Sequence, residues 1–498
     1  MDGVGWTRRR FLAAAGTAVA AVASPVVPDA WAARRFVDGV RGAGDVGATV
    51  RAFASRPDLS PPAVTITSGP DAPAGDHVLV APFTGDAQHG PLIVDLGGEP
   101  VWFQPITDVT AMSFRIQRYR RARVLTWWEG KVVGGGYGGG TGVILDRAYR
   151  EIAQVKAQRG YQSDLHDFVV TSRNTALIAI YNAVTADLTA FGGPSDGRII
   201  EGVVQEIDIA SRRLLFEWHS LDHVPLDESY RTYPTEPGQF DYLHLNSIGV
   251  DRDGNLLVGA RHTSTVYKLH RRTGAVIWRL GGKRNDFRMG PGAGFNFQHD
   301  ARRHADGTIT IFDNGAYGAD GVVEPASRPL QLAIDERAKT ATLVRKYEAP
   351  DPRLAVAMGN VQLLPDGSVF VGWGTKGSFS QIGADGALRF DGRFAGAGIS
   401  YRAYQETWVA KPTTPPSVVT SRDASGTTTA YASWNGATDV ARWQLSTGAR
   451  SDRLRPVGSV PRSGFETAFA VPSVAGYVAV TALDSAGRPL ATSAPAKL

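Results

Sequence analysis

The chain has 498 residues, of which 43% are hydrophobic and 20% charged, and its formal net charge is +5. That length supports a large core and more than one domain, while the small, scattered positive excess gives no reason to expect nucleic acid as a partner. Cysteine is absent, which excludes disulfides, thiolate metal sites and cysteine nucleophiles.

In chain order, the first feature is Thr7-Arg8-Arg9-Arg10-Phe11-Leu12, followed by an apolar stretch from Phe11 to Ala23 and then Ala30-Trp31-Ala32. A basic start, a short apolar run and an A-x-A site predict a signal peptide over residues 1–32, cleaved after Ala32. The paired arginines before Phe-Leu match the twin-arginine type, which exports folded proteins. The expected location is therefore extracellular or in the cell envelope, with membrane contact only through that signal. An uncut anchor is the alternative, but the stretch is shorter than the roughly 20 residues that span a bilayer. Residues 33–86 read as a leading segment with short strands.

From there the 57 glycines and 11 tryptophans favour an all-β chain. A repeat is visible: a strand, an Asp-Gly turn, a second strand, then a third ending near an aromatic. The clearest copy runs from Ser247 through Asp253-Gly254 to Val276-Ile277-Trp278, and it recurs around Asp306-Gly307 and Asp366-Gly367. Weaker copies hold His166 to Trp218, Phe114 to Asp146, and Leu92 to Trp102. Units of about 50 to 65 residues suit four-stranded blades. The expectation is a six-bladed β-propeller over 87–410, its ring closed by early strands pairing with late ones. After the stiff Lys411-Pro412-Thr413-Thr414-Pro415-Pro416, short alternating strands predict a fibronectin type III-like accessory sandwich over 411–498.

Three repeats carry a histidine where the inner strand begins: Leu165-His166-Asp167, Leu243-His244-Leu245-Asn246 and Gln298-His299-Asp300. In a propeller such positions lie at similar depth around one axis. Three imidazoles suit zinc or copper if their nitrogens meet at one point; alternatively they suit anion chemistry, with protonated rings binding an oxyanion and a neutral ring acting as base or nucleophile. Asn246, two residues beyond His244, is expected on the same strand face and offers an amide donor. Arg261 offers a planar fork for a tetrahedral oxyanion. His262 is expected to face away from Arg261, and His304 to sit at an exposed turn.

The stretches His244-Leu245-Asn246-Ser247, Gly259-Ala260-Arg261-His262-Thr263-Ser264, Ile277-Trp278-Arg279-Leu280-Gly281-Gly282, Phe297-Gln298-His299-Asp300 and Phe312-Asp313-Asn314-Gly315 resemble bacterial arylsulfotransferases that need no phosphoadenosine phosphosulfate. The resemblance covers roughly residues 60 to 410 and implies a six-bladed propeller. It further implies a transiently sulfurylated His299, sulfuryl-binding His244, Asn246 and Arg261, and proton handling by His166. Aryl sulfates and phenols would be the small-molecule partners, with no metal and no cofactor. Better-known members carry an extra β domain ahead of the propeller, whereas here it is expected after it. The competing expectation is a non-catalytic propeller that binds extracellular glycans or proteins. A quinone-dependent dehydrogenase propeller ranks lower, because no glycine-aromatic docking motif recurs in every blade.

Overall fold

The computed structural model describes residues 49–69, 76–134, 136–235, 238–316, 323–349, 351–471 and 476–498. The expected signal peptide lies outside them. The described chain is all-β, with only short 3-10 turns besides strands.

Six sheets follow one another along the chain, antiparallel except where the short strands Gln239–Asp241 and Arg288–Met289 join in parallel. Their first strands are Thr110–Tyr119, Phe168–Val170, Leu245–Val250, His299–Arg303, Asn360–Leu363 and Ser400–Glu406. The last of these pairs with the early strand His77–Pro82, and that sheet continues through Leu92–Asp95 and Pro100–Phe103. Each first strand contacts the next in turn, and Ser400–Glu406 contacts both Asn360–Leu363 and Thr110–Tyr119. Two strands of the expected leading segment are thus parts of these sheets, since Val64–Ser68 also pairs with Leu388–Phe394.

Local chemistry explains the repeat. In the Asp-Gly turns, Asp253, Asp306 and Asp366 each accept the backbone N–H two residues on, from Asn255, Thr308 and Ser368. Gly254, Gly307 and Gly367 take φ of 83°, 90° and 81°, a left-handed conformation that glycine adopts without steric cost. Between every neighbouring pair of sheets lies an apolar cluster of its own. Trp218 and Tyr267 fill one, Trp278 and Ile309 the next, Phe312 and Trp373 the next. Truncating one such buried tryptophan to alanine costs about 3–5 kcal/mol.

Residues after 416 form two further sheets, Ser417–Arg422, Thr428–Ser433 and Glu466–Val471 in one, and Arg455–Pro461, Arg442–Gly448, Tyr477–Leu483 and Pro489–Thr492 in the other. They enclose a core containing Trp434 and Trp443. Asn435 exchanges two backbone hydrogen bonds with Phe103, and Glu466 accepts from Ser55, so this unit is docked on the first sheets.

One residue further along the inner strands than the histidines lies a buried ion cluster. Arg402, fully buried, meets Asp167 at 3.1 Å and Asp300 at 3.3 Å. Arg302 bridges the same two carboxylates at 2.7 and 2.8 Å, and Arg115 reaches Asp167 at 3.0 Å. The carbonyl of Asn246 accepts from Arg402, and the N–H of Val361 donates to Asp300. All six sheets therefore contribute to one hub. Burial would raise the Asp167 carboxyl, but the three guanidiniums overcome it and hold it well below the usual carboxylate range.

Candidate active site

His166, His244 and His299 come from three different sheets and converge. The His166 and His244 rings are 4.9 Å apart, edge to face. Tyr401 stands between the others, 5.7 Å from His166 and 6.2 Å from His299. All three imidazoles are buried, with exposures of 2%, 8% and 2% in that order. Beside them Met112, Trp128, Leu165, Met358, Ile399 and Tyr401 form one buried apolar cluster.

Each ring is held through Nδ1. His166 Nδ1 lies 2.5 Å from Asp164 Oδ1, and Asp164 also accepts the N–H groups of His166 and Gly138. Three acceptor contacts mark Asp164 as the ionised partner, so Nδ1 carries the hydrogen. His244 Nδ1 lies 2.5 Å from Asp241 Oδ2. His299 has no carboxylate: its Nδ1–H donates to Asn314 Oδ1 at 2.7 Å, and its Nε2 accepts the Met358 N–H at 3.2 Å. The Tyr181 ring stacks on His166 at 5.2 Å, and Tyr137 stacks on Tyr181 at 4.9 Å.

Burial sets the electrostatics. It pushes His299 well below the usual imidazole range; the charge of Arg261 adds to this, against the hydrogen bond to Asn314. Burial likewise pushes His244 well down, reinforced by His166, Arg261 and Arg231, and raises the carboxyl of Asp241. At neutral pH His299 is therefore a neutral imidazole with its lone pair on Nε2, the form that attacks an electrophile.

Two expectations need correction. His262 does not face away from Arg261: its Nε2 accepts from the guanidinium at 3.0 Å, while its Nδ1–H donates to the Asp241 carbonyl at 2.6 Å. The strand stops at Ala260 and the chain turns, with Ser264 at φ 48°, so strand alternation no longer applies. Asn246 does not share a strand face with His244. His244 precedes the strand at φ 53°, and the register shifts between Leu245 and Ser247. Asn246 Nδ2 instead donates to the Gln298 carbonyl at 2.6 Å and ties two sheets together. His304 is half-buried and meets Thr310 Oγ1. Arg261 lies over the Phe297 ring and also donates to the Val356 carbonyl at 3.1 Å. Asp164 and Asp241 were within reach of sequence reasoning, as Asp-x-His and Asp-x-x-His spacings beside two singled-out histidines. Asn314 offered no such local signal.

Asp241, His244 and His262 place potential metal-ligating atoms within 4.8 Å of one another. The two Nδ1 atoms that face Asp241 already hydrogen-bond to its carboxylate and its carbonyl, and Arg261 sets a permanent positive charge against His262. These surroundings fit an anion better than a cation.

Fold and site together define an all-β protein built from successive sheets, with buried imidazoles gathered beside a guanidinium. The family model described as Arylsulfotransferase (ASST) matches residues 115–395, more than half of the chain, and the chain belongs to that family. Membership carries sulfotransferase activity on small aryl substrates at the level of the family. No curated protein matches the chain. Among solved structures it is similar to a protein of unknown function from Bacteroides caccae, at 14% identity and TM-score 0.41, covering 67% of this chain and 99% of that one. It is also similar to virginiamycin B lyase from Staphylococcus aureus, at 7% and 0.33, covering 67% and 98%. A third is apo AztD from Citrobacter koseri, at 9% and 0.34, covering 67% and 99%. None of these likenesses bears on the chemistry.

Proposed function

We propose that the six sheets are the blades of a propeller, with a fibronectin type III-like accessory domain after residue 410. In this reading the enzyme moves a sulfuryl group from an aryl sulfate to a phenol through a sulfo-histidine at His299, without a nucleotide donor. The observation that carries it is the meeting of imidazoles from three sheets beside Arg261, with His299 neutral and its Nε2 lone pair turned away from Asn314.

In the first half-reaction His299 Nε2 forms a bond to sulfur, and the bond from sulfur to the aryl oxygen breaks with its electron pair. His166 donates a proton to the departing phenolate, with Asp164 beside it to offset the charge of the ring. In the second half the acceptor oxygen attacks sulfur, the N–S bond breaks, and His166 takes the acceptor's proton. A phenol has a pKa near 10, so this proton transfer matters at neutral pH. Arg261 and His244 hold the sulfuryl oxygens. The incoming anion supplies negative charge beside the Asp241–His244 pair, which takes up a proton and presents Nε2–H. Fixed donors aimed at the equatorial oxygens are the main catalytic lever for a loose transfer of this kind, by analogy with phosphoryl transfer. Asn246 contributes through the Gln298 backbone it fastens, one residue before His299.

Access requires a local opening. The carbonyl of Val356 occupies Arg261 and the N–H of Met358 occupies His299, so the segment between them yields when substrate binds. Export by the twin-arginine route to the cell envelope or beyond belongs to the same reading. The test is release of 4-nitrophenolate from 4-nitrophenyl sulfate with and without added phenol, followed by mass spectrometry of the enzyme exposed to donor alone. Phenol-dependent turnover and a sulfurylated peptide containing His299 are expected. Turnover without phenol would mean a sulfatase, and no turnover with any phenol would favour the glycan- or protein-binding alternative.

A further inference from the structure

We infer that Asn314 is the positioning residue that selects the attacking nitrogen of His299 and keeps its sulfuryl adduct reactive. This rests on the reading of His299 as nucleophile and adds how its reactivity is set.

The amide of Asn314 has one orientation open to it. Its Nδ2 donates to the carbonyls of Ala355 at 2.7 Å and Met358 at 3.0 Å, using both hydrogens. Its Oδ1 must then face His299 Nδ1 at 2.7 Å, and an acceptor there requires hydrogen on Nδ1 and a lone pair on Nε2. Asn314 is itself fully buried. It stands just past Thr308–Asp313, the strand in which Phe312 pairs with His299. The preceding residue holds the turn: Asp313 accepts the N–H groups of Asn296 and Gly315 and pairs with Arg328 at 2.6 Å.

The partner's charge is the second part of the inference. His166 and His244 face carboxylates at 2.5 Å, whereas His299 faces a neutral amide. When Nε2 carries the sulfuryl group and Nδ1 keeps its hydrogen, the ring is positively charged. A carboxylate in the position of Asn314 would offset that charge and strengthen the N–S bond. The amide fixes the ring without offsetting its charge, so the bond breaks when the phenol oxygen attacks. The histidine that must bind and then release the group is the one without an anionic partner.

The test uses the full chain and two readouts. Nitrogen NMR of imidazole-labelled protein without substrate, with the His299 signal assigned by its loss in His299→Gln, should show hydrogen on Nδ1. In Asn314→Leu part of the population should shift its hydrogen to Nε2, held back from a complete move by the Met358 N–H that faces that nitrogen. A wild-type His299 with hydrogen on Nε2, or a pattern unchanged in Asn314→Leu, overturns the inference. Asn314→Asp retains the acceptor on His299 but gives up the two bonds to the Ala355 and Met358 carbonyls, so its urea midpoint is measured beside wild type and the release of a first equivalent shows that the site is intact. After mixing with 4-nitrophenyl sulfate alone it should still release a first equivalent of 4-nitrophenolate. On addition of phenol its sulfo-enzyme should discharge at least about tenfold more slowly, the factor carried by one unit of basicity; discharge at the wild-type rate overturns the second part. If wild-type enzyme forms no adduct at His299, the nucleophile reading and this second part fall together, while the NMR result still judges the selection of the nitrogen.

Discussion

Two levels of the protein's interior, one residue apart along the inner strands, treat charge in opposite ways. At the hub, Arg402, Arg302 and Arg115 surround Asp167 and Asp300, and every group is met by an opposite charge. At the histidine level, burial dominates and the like-signed Arg261 adds to it, so that His244, His262 and His299 are pushed well below their usual range even though Asp241 lies beside the first two. Equal burial thus gives permanent ionisation in one layer and neutral, reactive rings in the next. The neighbours decide the outcome.

The contrast can be broken from either side. The largest effect is expected from His299→Asn: transfer from 4-nitrophenyl sulfate to phenol falls by about 10⁴ or more, as when a covalent nucleophile is removed, while urea unfolding is little changed. Arg402→Met should do the reverse. Removing one partner of a buried ion cluster costs about 3–5 kcal/mol, seen as a lower urea midpoint and a lower Tm. Arg261→Ala, within the histidine level, should lower turnover by about 10² to 10³, the scale of a lost oxyanion donor, and leave the unfolding midpoint near wild type. An unchanged rate would show that Arg261 only packs on Phe297.

Acid separates the layers further. Buried imidazoles with depressed values stay neutral in the folded chain, whereas the unfolded chain protonates them near 6.5. Acid therefore favours the unfolded state, and stability is lost as pH falls below that range. The slope is about 1.4 kcal/mol per pH unit for each proton taken up on unfolding. Unfolding measured from pH 7.5 to 5 should show this loss, and His244→Gln should remove one proton's share of the slope. The hub is expected to stay ionised throughout, because Asp167 is held well below the usual carboxylate range. The rate of the first half-reaction should not fall as pH is lowered through about 6.5, since His299 remains neutral there; a loss on acidification centred near 6.5 would contradict the depressed value.

Much of this was legible in the chain. The Asp-Gly turns revealed the repeat, and the repeat register singled out His166, His244 and His299, because a turn's chemistry is local. Side-chain direction at the entrance to each inner strand was not legible. His244, Phe297, Asp300 and Met358 all take positive φ between 53° and 65°, and at such residues the two-residue alternation that was used to place Asn246 and His262 fails. Asn314 stood in one of the stretches that carry the resemblance, but its partner, like the part played by Arg402, was hidden for another reason. Their partners lie across a sheet or in a sheet distant along the chain, at separations from 15 residues for His299 to 235 for Asp167, and no local pattern encodes such meetings.

The hub also dictates when the protein can become whole. Its central guanidinium is supplied by residue 402, on the strand that pairs with His77–Pro82. A nascent chain that has emerged only as far as the fifth sheet holds Asp167 and Asp300 without that cation and has an unpaired early strand. Completion waits for the ribosome to deliver the last inner strand, after which one pairing event joins it to His77–Pro82 and seats Arg402 against both carboxylates.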